Sequence, residues 1–274
     1  MMDLTGCPTA TYSFKDDKVM EMVNTGKLWT LLKHYDKQGF IMSGGTPGQD
    51  MWSEDDKKPE EKKGGLIAGH AYSIIQAIEF KGIKLLNFRN PWGGFEWDGD
   101  WSDNSHLWTE EMIKGFNATL DENDGGFWMS FDDFVKNFES LDVCRVQSWD
   151  ELRLRGRFIR FYDVNDRENE VVVSKWIYAL EVPGRTHLVV GLHQEDERIE
   201  GTLPKRPYID FGLTILKREA DGSTLTHVRE NKIGRDIEVE CVLEAGSYIV
   251  VPRTSGCSIS RPNNVESENI KLLG

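Results

Sequence analysis

The stretch from Gly65 to Gly99 constrains the fold more than any other part of the chain. It contains two runs with the alternation of apolar and polar residues that is typical of β-strands, 71–80 and 83–88. The two runs are joined by Lys81-Gly82, a dipeptide short enough for a tight turn. The pattern therefore predicts an antiparallel hairpin.

A histidine and an asparagine flank this predicted hairpin. His70 stands at the start of the first strand and Asn90 just past the end of the second, so both are expected at the same end of the ribbon. An imidazole oriented by a carboxamide forms part of a Cys-His-Asn arrangement, in which the imidazole takes the proton of a thiol. A single histidine and a single asparagine in such places are also common without any catalytic role.

The sequence around both residues carries more information than the pair alone. The histidine lies in Gly-His-Ala-Tyr-Ser and the asparagine in Arg-Asn-Pro-Trp-Gly. These stretches resemble the histidine and asparagine motifs of the calpain family, whose members are papain-like cysteine endopeptidases. The resemblance continues through Glu96-Trp97, Gly99, Trp101-Ser102-Asp103 and residues 126–131. It implies that His70 is the general base and acid, that Asn90 orients it, and that Trp92 shields their hydrogen bond.

The nucleophilic cysteine of that family has no counterpart in this sequence. Asp3-Leu4-Thr5-Gly6 resembles the motif with which the His/Asn half of a calpain core begins, and Cys7 falls where that motif commonly has a second glycine. The Gln-Gly-x-x-Gly-Asp-Cys-Trp setting of the nucleophile occurs nowhere in the chain. We therefore reject Cys7 as the nucleophile. The resemblance implies a partner, the Cys-bearing half of the protease core, and we expect this chain alone to hydrolyse nothing.

Length and composition exclude several classes of protein. The 274 residues are enough for two domains of ordinary size, each with its own core. There is no apolar run of about 18 residues that would span a membrane and no signal sequence at the start. Four scattered cysteines without CxxC spacing predict reduced thiols in a cytoplasmic protein. The net charge of −13 makes nucleic acid an improbable partner.

The negative charge is concentrated in one segment. Residues 91–143 carry 13 acidic side chains against Lys114 and Lys136 only. A solvated acidic face is the usual meaning of such a segment, although clustered carboxylates beside glycines also suit calcium. The resemblance implies a calcium site made of the side chains of Glu96, Asp103 and Asp124 and the backbone carbonyl of Glu122. Gly126 replaces a glutamate common in the family, which predicts weaker binding unless Asp121 or water substitutes.

The remaining pattern of the first half predicts a small mixed domain over residues 1–145. Helical spacing is found in 26–37, 106–116 and 131–138, with Ser130 as the cap of the third helix. Short strands are predicted at 40–43, 127–129 and 141–145. Residues 44–65, which include Trp52, are rich in glycine, proline and charge and predict a loop.

The second half, 146–274, changes to a β pattern. Strand-like runs separated by charged, glycine or proline links are found at 157–163, 171–180, 185–193, 207–216, 237–243 and 247–251. This spacing predicts an antiparallel β-sandwich. The run 244–252 resembles a signature of the β-sandwich domain that follows the calpain core, whereas the polar residues 260–274 indicate an incomplete last strand. The fold class is thus α+β, the His/Asn half of a papain-like core followed by an all-β sandwich.

Four arginines near the start of the predicted sandwich suggest a second kind of partner. If Arg153, Arg155, Arg157 and Arg160 share a strand face, they form a basic strip for an acidic membrane surface. The alternatives are a solvated face, or salt bridges to the acidic segment 91–143. A plain supporting role for the sandwich is also open.

Three functions remain open from the sequence. The first is the His/Asn half of a calcium-dependent cysteine endopeptidase that cleaves intracellular proteins. The second is a catalytically silent calpain homologue that acts as a protein- or membrane-binding scaffold, although such a lineage would be free to lose His70, Asn90 and Trp92. The third is a transglutaminase-like acyl transferase, which usually has aspartate in place of Asn90 and does not fit the tryptophan-rich motif.

Overall fold

The computed structural model describes residues 2–48, 64–120, 124–163, 166–194, 208–222 and 224–254. The chain divides into two compact units, Met1–Trp149 and Asp150–Gly274. The predicted domain boundary between residues 145 and 146 stays a prediction, a few residues from this division. In the described ranges, every helix is too short or too polar to cross a membrane.

The first unit is built on one antiparallel sheet with the strand order β1-β6-β2-β3-β4-β5. Its strands are β1 (Thr9–Ser13), β2 (Ile41–Gly45), β3 (Ala71–Phe80), β4 (Ile83–Arg89), β5 (Gly126–Ser130) and β6 (Ser140–Cys144). Its helices are α1 (Met2–Thr5), α2 (Asp17–Asn24), α3 (Lys27–Lys37), α4 (Glu110–Phe116) and α5 (Phe131–Asn137).

The predicted hairpin is confirmed as β3 and β4. Phe80 pairs with Ile83, and the turn residues Lys81 and Gly82 both have positive φ, 51° and 80°, as a tight hairpin turn requires. A bulge between Ile74 and Gln76 shifts the register once along the ribbon. The far end of the ribbon therefore brings together the residues that precede β3 and follow β4.

The main core lies on one face of this sheet. Leu28, Trp29, Leu32 and Tyr35 of α3 pack there against buried side chains of β2 to β6 and of α5. A second cluster forms around Trp128 and Phe116, where α4 packs on the end of the β3–β4 ribbon. Buried aromatic residues thus pack on both faces of the sheet at β5, where Phe127 belongs to the main core and Trp128 to the second cluster.

Helix α5 agrees with its predicted range and cap, whereas the predicted helix 106–116 is too long. The Ser130 hydroxyl accepts a hydrogen bond from Asp133 N, 3.0 Å away. Helix α4 begins only at Glu110, because the Thr109 hydroxyl caps it by accepting from Met112 N at 3.2 Å. The preceding residues form turns instead. The α1, β1 and α2 elements were not predicted.

The second unit consists of strands in its described residues: β7 (Phe158–Asp163), β8 (Asp166–Ser174), β9 (Tyr178–Val182), β10 (Thr186–His193), β11 (Asp210–Arg218), β12 (Thr224–Ile233), β13 (Asp236–Leu243) and β14 (Gly246–Arg253). They pair in the order β12-β11-β14-β9, with two further pairs, β10-β13 and β7-β8, all antiparallel. Side chains of the four-stranded sheet and of the β10-β13 pair share hydrophobic clusters. The α+β fold class, a mixed core unit followed by a β-rich unit, is confirmed.

Several sequence predictions need correction or concern residues outside the described ranges. The predicted run 171–180 is two strands, β8 and β9, separated by a turn, and β12 was missed. Arg153, Arg155 and Arg157 precede β7, so they do not share a strand face with Arg160, which was one of the alternatives left open by the sequence. The predicted polar last strand, 260–274, lies outside the described residues, as does most of the loop 44–65 with Trp52.

Candidate functional site

His70 and Asn90 meet at the open end of the β3–β4 hairpin. The Nε2 atom of His70 lies 2.9 Å from the Oδ1 atom of Asn90, a hydrogen bond. His70 comes directly before β3, and Asn90 directly after β4. The hairpin turn and the alternation of the two strands thus place the predicted imidazole and carboxamide in contact.

The carboxamide of Asn90 is held in one orientation. Its side chain is fully buried, and its Nδ2 atom donates hydrogen bonds to the carbonyl oxygens of Gly94 and Phe95. Its Oδ1 atom also accepts from Trp92 N at 3.1 Å. Because Oδ1 can only accept, Nε2 of His70 carries the proton of their bond, and Nδ1 is left with the lone pair that can take a proton.

The backbone of Asn90 is fixed by a glycine on a neighbouring loop. Asn90 N donates to Gly125 O at 2.7 Å, and Gly125 N donates to the Glu96 Oε1 atom, also at 2.7 Å. Gly125 has φ +85°, and a Cβ there would lie 2.8 Å from Gly93 Cα and 2.9 Å from Asn90 O. A residue with a side chain cannot occupy this position without moving the asparagine loop.

The backbone of His70 is fixed by Thr46, which follows β2. The Thr46 N–H donates to His70 O at 2.9 Å, and its hydroxyl accepts from His70 N at 2.9 Å. The same hydroxyl donates to Ile67 O at 2.6 Å. Thr46 is buried, at 3% exposure, so its hydroxyl is sheltered from water and holds the backbone of His70 at the start of β3, an interior strand of the sheet.

Two aromatic rings contact the imidazole. The ring of Trp92 lies 4.3 Å from it, centroid to centroid, and that of Tyr72 meets it edge-on at 5.0 Å. Tyr72 is fully buried; its hydroxyl accepts from Ile67 N at 2.9 Å and donates to Phe95 O. Burial raises the pKa of this phenol, and the bond from Ile67 opposes the shift. Trp92 is 44% exposed. The imidazole therefore has the buried Tyr72 ring on one side and the partly exposed Trp92 ring on another.

The predicted calcium ligands are only partly brought together. Glu96 reaches the loop beside Asp124 through its bond to Gly125 N, and Asp124 Oδ1 accepts from Gly126 N. No group of three His, Cys, Asp or Glu residues within the described ranges is arranged to hold a metal ion. Glu122 lies outside those ranges, so the ligand set of Glu96, Asp103, Asp124 and Glu122 stays a prediction.

Neither of the cysteines described in the first unit lies beside His70. Cys144 pairs with Ile41 at one end of β2, whereas Ala71, the neighbour of His70, pairs with Gly45 at the other end. Four residues of strand separate the two ends by roughly 13 Å. Cys7 lies at the Cys144 end, where its carbonyl oxygen is 4.0 Å from the Cys144 sulfur. The rejection of Cys7 as the nucleophile agrees with this placement.

Known proteins share sequence similarity with most of this chain. The profile described as "Calpain family cysteine protease" matches residues 1–145. The chain belongs to the calpain family of cysteine proteases. It is 37% identical over 280 residues to "Calpain-type cysteine protease ADL1" of Oryza sativa subsp. japonica, a match that covers 93% of this chain and 12% of the rice protein.

Two further relatives give the same picture. "Calpain-type cysteine protease DEK1" of Zea mays is 37% identical over 148 residues, 53% of this chain and 6% of the maize protein. "Calpain-2 catalytic subunit" of Gallus gallus is 29% identical over 232 residues, 69% of this chain and 33% of the chicken protein. The chain therefore spans from about one-twentieth to one-third of the length of these calpain relatives.

Two residues that support the His70–Asn90 pair were not predicted from the sequence. Thr46 and Gly125 lie far along the chain from the residues that they hold, and neither belongs to the His or Asn motif. The one available signal was the double glycine at 125–126, which is typical of a tight backbone approach. Thr46 carried no such signal.

Proposed function

We propose that this chain supplies the base-bearing half of a calpain-type cysteine endopeptidase. The observation that carries the proposal is the 2.9 Å bond between His70 Nε2 and Asn90 Oδ1, with the asparagine fully buried. That bond leaves His70 Nδ1 as the proton acceptor. His70 is the base, Asn90 is a positioning residue, and Trp92 covers one side of the ring at 4.3 Å.

The proposed chemistry follows from that arrangement. His70 Nδ1 takes the proton of a cysteine thiol, and the thiolate attacks the carbonyl carbon of a peptide bond in a protein substrate. As the C–N bond breaks, the imidazolium returns its proton to the leaving amine, and a thioester remains. His70 then takes a proton from water, whose oxygen displaces the thiolate and releases the acid. The family resemblance and the His70–Asn90 bond support these roles.

The thiol is proposed to come from a segment outside this sequence, the Cys-bearing half of the protease core. Cys7 and Cys144 lie roughly 13 Å along β2 from the imidazole end, and the chain covers only 12% of its rice relative. On this proposal the isolated chain is inactive, and its partner is the segment that carries the nucleophile.

The test compares the natural full-length product with variants at two histidines. His70→Ala should lower peptidase turnover by about 10²–10⁴-fold, whereas His34→Ala, on the exposed side of α3, should leave it unchanged. The isolated chain should show no turnover. Turnover by the isolated chain that His70→Ala abolishes would contradict the proposed division of roles.

The coding sequence upstream of Met1 provides an independent test. A Gln-Gly-x-x-Gly-Asp-Cys-Trp stretch there supports the endopeptidase. A serine, glycine or lysine at the cysteine position would leave His70 and Asn90 without a nucleophile, and the second candidate from the sequence, a catalytically silent scaffold, would then replace the first.

Calcium binding is a separate part of the proposal. What supports it is the resemblance and the contact that Glu96 makes with the loop next to Asp124. As they stand, the described carboxylates do not form a complete cage, so no step of the chemistry above is routed through calcium. One oxygen of Glu96 and one of Asp124 accept backbone N–H groups, which leaves the second oxygen of each for a cation.

A further inference from the structure

Phe95 has a backbone conformation that is unfavourable for an aromatic residue. Its φ is +59°, in the left-handed region where the Cβ atom crowds the following carbonyl oxygen. It follows Gly93 and Gly94 in the loop that leaves Asn90. A glycine would adopt this φ without strain, so the presence of a phenylalanine side chain at this position needs an explanation of its own.

The other described residues that combine a Cβ atom with a positive φ have local explanations. Lys81 stands with Gly82 in the tight hairpin turn, and Asn117 is the left-handed cap at the end of α4. Trp101 is 8% exposed, and its ring packs in the second cluster, so burial offsets its strain. Phe95 instead lies in an irregular loop, is 41% exposed, and belongs to neither core cluster of the described part of the first unit.

The backbone of Phe95 supports the proposed catalytic pair. Its carbonyl oxygen accepts from Asn90 Nδ2 and from the Tyr72 hydroxyl, each at 3.4 Å. Asn90 bonds the His70 imidazole, and the Tyr72 ring meets that imidazole edge-on. These bonds account for the position of the Phe95 backbone. They do not account for the aromatic ring, because every type of residue has the same carbonyl group.

The loop thus carries two partly exposed aromatic side chains beside the imidazole. Trp92 contacts the His70 ring at 4.3 Å and is 44% exposed, and Phe95 follows three residues later. Strained backbone conformations cluster at active sites and ligand contacts, and aromatic side chains are typical of surfaces that bind ligands. Both observations indicate that the Phe95 ring contacts a substrate.

The proposed chemistry determines which part of a substrate would meet this loop. The His70 imidazolium returns its proton to the leaving amine, so it must lie within hydrogen-bonding reach of the nitrogen of the scissile bond. The residue that follows the scissile bond is attached to that nitrogen. This residue therefore passes the imidazole and the loop that packs against it.

We propose that Phe95 contacts a large apolar side chain in the residue after the scissile bond and so contributes to substrate selection. This contact depends on the proposed function and adds a class of substrate to it, peptides with an aromatic or large aliphatic residue on the leaving-group side. An apolar side chain that leaves water for the Phe95 ring stabilises the bound substrate and its transition state through the hydrophobic effect.

The test uses the natural full-length product and two peptides. A cleavage site is first located in denatured casein by mass spectrometry, and the peptides reproduce it with either phenylalanine or alanine after the scissile bond. For the wild type we expect kcat/KM to be about tenfold higher for the phenylalanine peptide. Phe95→Ala should bring the two values together by lowering kcat/KM for the phenylalanine peptide only. Phe95→Leu should keep most of the preference.

The ratio of the two kcat/KM values separates a substrate contact from a supporting role. A substitution that only disturbed the Asn90 loop would misplace His70 and lower kcat/KM for both peptides by the same factor. Lys81→Ala is the control for the backbone, since Lys81 has a φ of +51° at the other end of the ribbon. Ile75→Ala is the control for an exposed apolar side chain, since Ile75 is 49% exposed and lies roughly 16 Å along β3 from His70. Both controls should leave the ratio unchanged.

Three outcomes would overturn the inference while the proposed function stands. They are equal kcat/KM values of the wild type for the two peptides, an unchanged ratio in Phe95→Ala, and a similar fall of the ratio in either control variant. Failure of the wild type to cleave denatured casein would instead contradict the proposed function, and the substrate contact with it.

Discussion

Thr46 makes two hydrogen bonds to the backbone of His70, each of 2.9 Å. The Thr46 N–H donates to His70 O, and the Thr46 hydroxyl oxygen accepts from His70 N. The bonds between Thr46 and His70 therefore continue the β2–β3 pairing by one residue, although both residues lie just outside the strands. The buried Thr46 hydroxyl thus fixes the backbone of His70, and Asn90 fixes its imidazole.

Thr46→Val should destabilise the first unit. Valine has the same shape but leaves His70 N and Ile67 O without the partners that they have now. Because Ile67 O is buried and His70 N is partly buried, we expect a loss of about 2–4 kcal/mol in the free energy of unfolding. Thr11→Val is the control, since the Thr11 hydroxyl bonds Asp142 at an exposed site, and should cost under about 1 kcal/mol.

Chemical unfolding followed by tryptophan fluorescence suits this measurement. Eight of the nine tryptophans precede Asp150, and Trp176 is the only one after it. The fluorescence change therefore reports mainly on the first unit. Equal losses for Thr46→Val and Thr11→Val would show that the Thr46 hydroxyl is not the support that the distances indicate.

Asn90→Ala should free the His70 ring to change its tautomer. In the wild type, Asn90 Oδ1 accepts from Nε2, so neutral His70 should be almost entirely the Nε2–H form. Nitrogen-15 NMR of the imidazole distinguishes the two tautomers. We expect one form in the wild type and a mixture in Asn90→Ala, with His34, on the exposed side of α3, as the internal reference. A wild-type mixture would contradict the proposed orientation.

Gly125→Ala and Gly82→Ala form a matched pair. Both glycines have a similar φ, +85° and +80°, but a Cβ at Gly82 meets nothing within 4 Å, whereas one at Gly125 meets Gly93 and Asn90. Gly82→Ala should cost about 1–2 kcal/mol for the left-handed backbone alone. Gly125→Ala should cost about 1–3 kcal/mol more from the steric overlap. Equal values in unfolding experiments would mean that the Asn90 loop moves freely.

Tyr72 should make the first unit lose stability in alkali. Burial raises the pKa of this phenol in the folded chain, so the unfolded chain releases the proton first, from about pH 10 upward. The free energy of unfolding therefore falls as the pH rises above that value. The slope should be shallower in Tyr72→Phe, which should also be less stable at neutral pH because Ile67 N loses its acceptor. Parallel curves would contradict the raised pKa.

Calcium titration by calorimetry tests the predicted ligand set. If the proposal holds, Glu96→Gln and Asp124→Asn each weaken binding by about tenfold or more, because each removes a charged oxygen ligand. Asp98→Asn is the control, as Asp98 is an exposed carboxylate between predicted ligands. Absence of heat with the wild-type chain, or equal effects of all three variants, would count against the site.

The hairpin and its two polar residues were predictable because their signals are local. Alternation and a two-residue turn set the pairing of Ala71–Phe80 with Ile83–Arg89, and the ends of a ribbon must meet. Thr46 was not predictable, because its bonds to His70 join residues 24 positions apart, just beyond the ends of two separate strands. Contacts of this kind depend on the order of strands in the sheet, which a single sequence does not reveal.

The errors in strand and helix bounds have similarly specific causes. Residues 171–180 were predicted as one strand because the apolar residues Trp176 and Ile177 occupy the turn between β8 and β9. No glycine or proline marks that turn in the sequence. The predicted helix 106–116 began too early because Leu107 and Trp108 lie at helical spacing from later apolar residues. In the structure they pack around Phe116 from a turn.

The position of β6 has a consequence for the order in which the first unit is completed during translation. The hairpin that joins His70 to Asn90 needs only residues already synthesised by Asn90. Strand β2, which directly precedes Thr46, pairs on its other edge with Ser140–Cys144. The same last strand also pairs with β1, across more than 125 residues of chain. We therefore expect His70 to reach its final position only after β6 has left the ribosome. A nascent chain that stops before β6 leaves the edge of β2 unpaired and open to association with other chains.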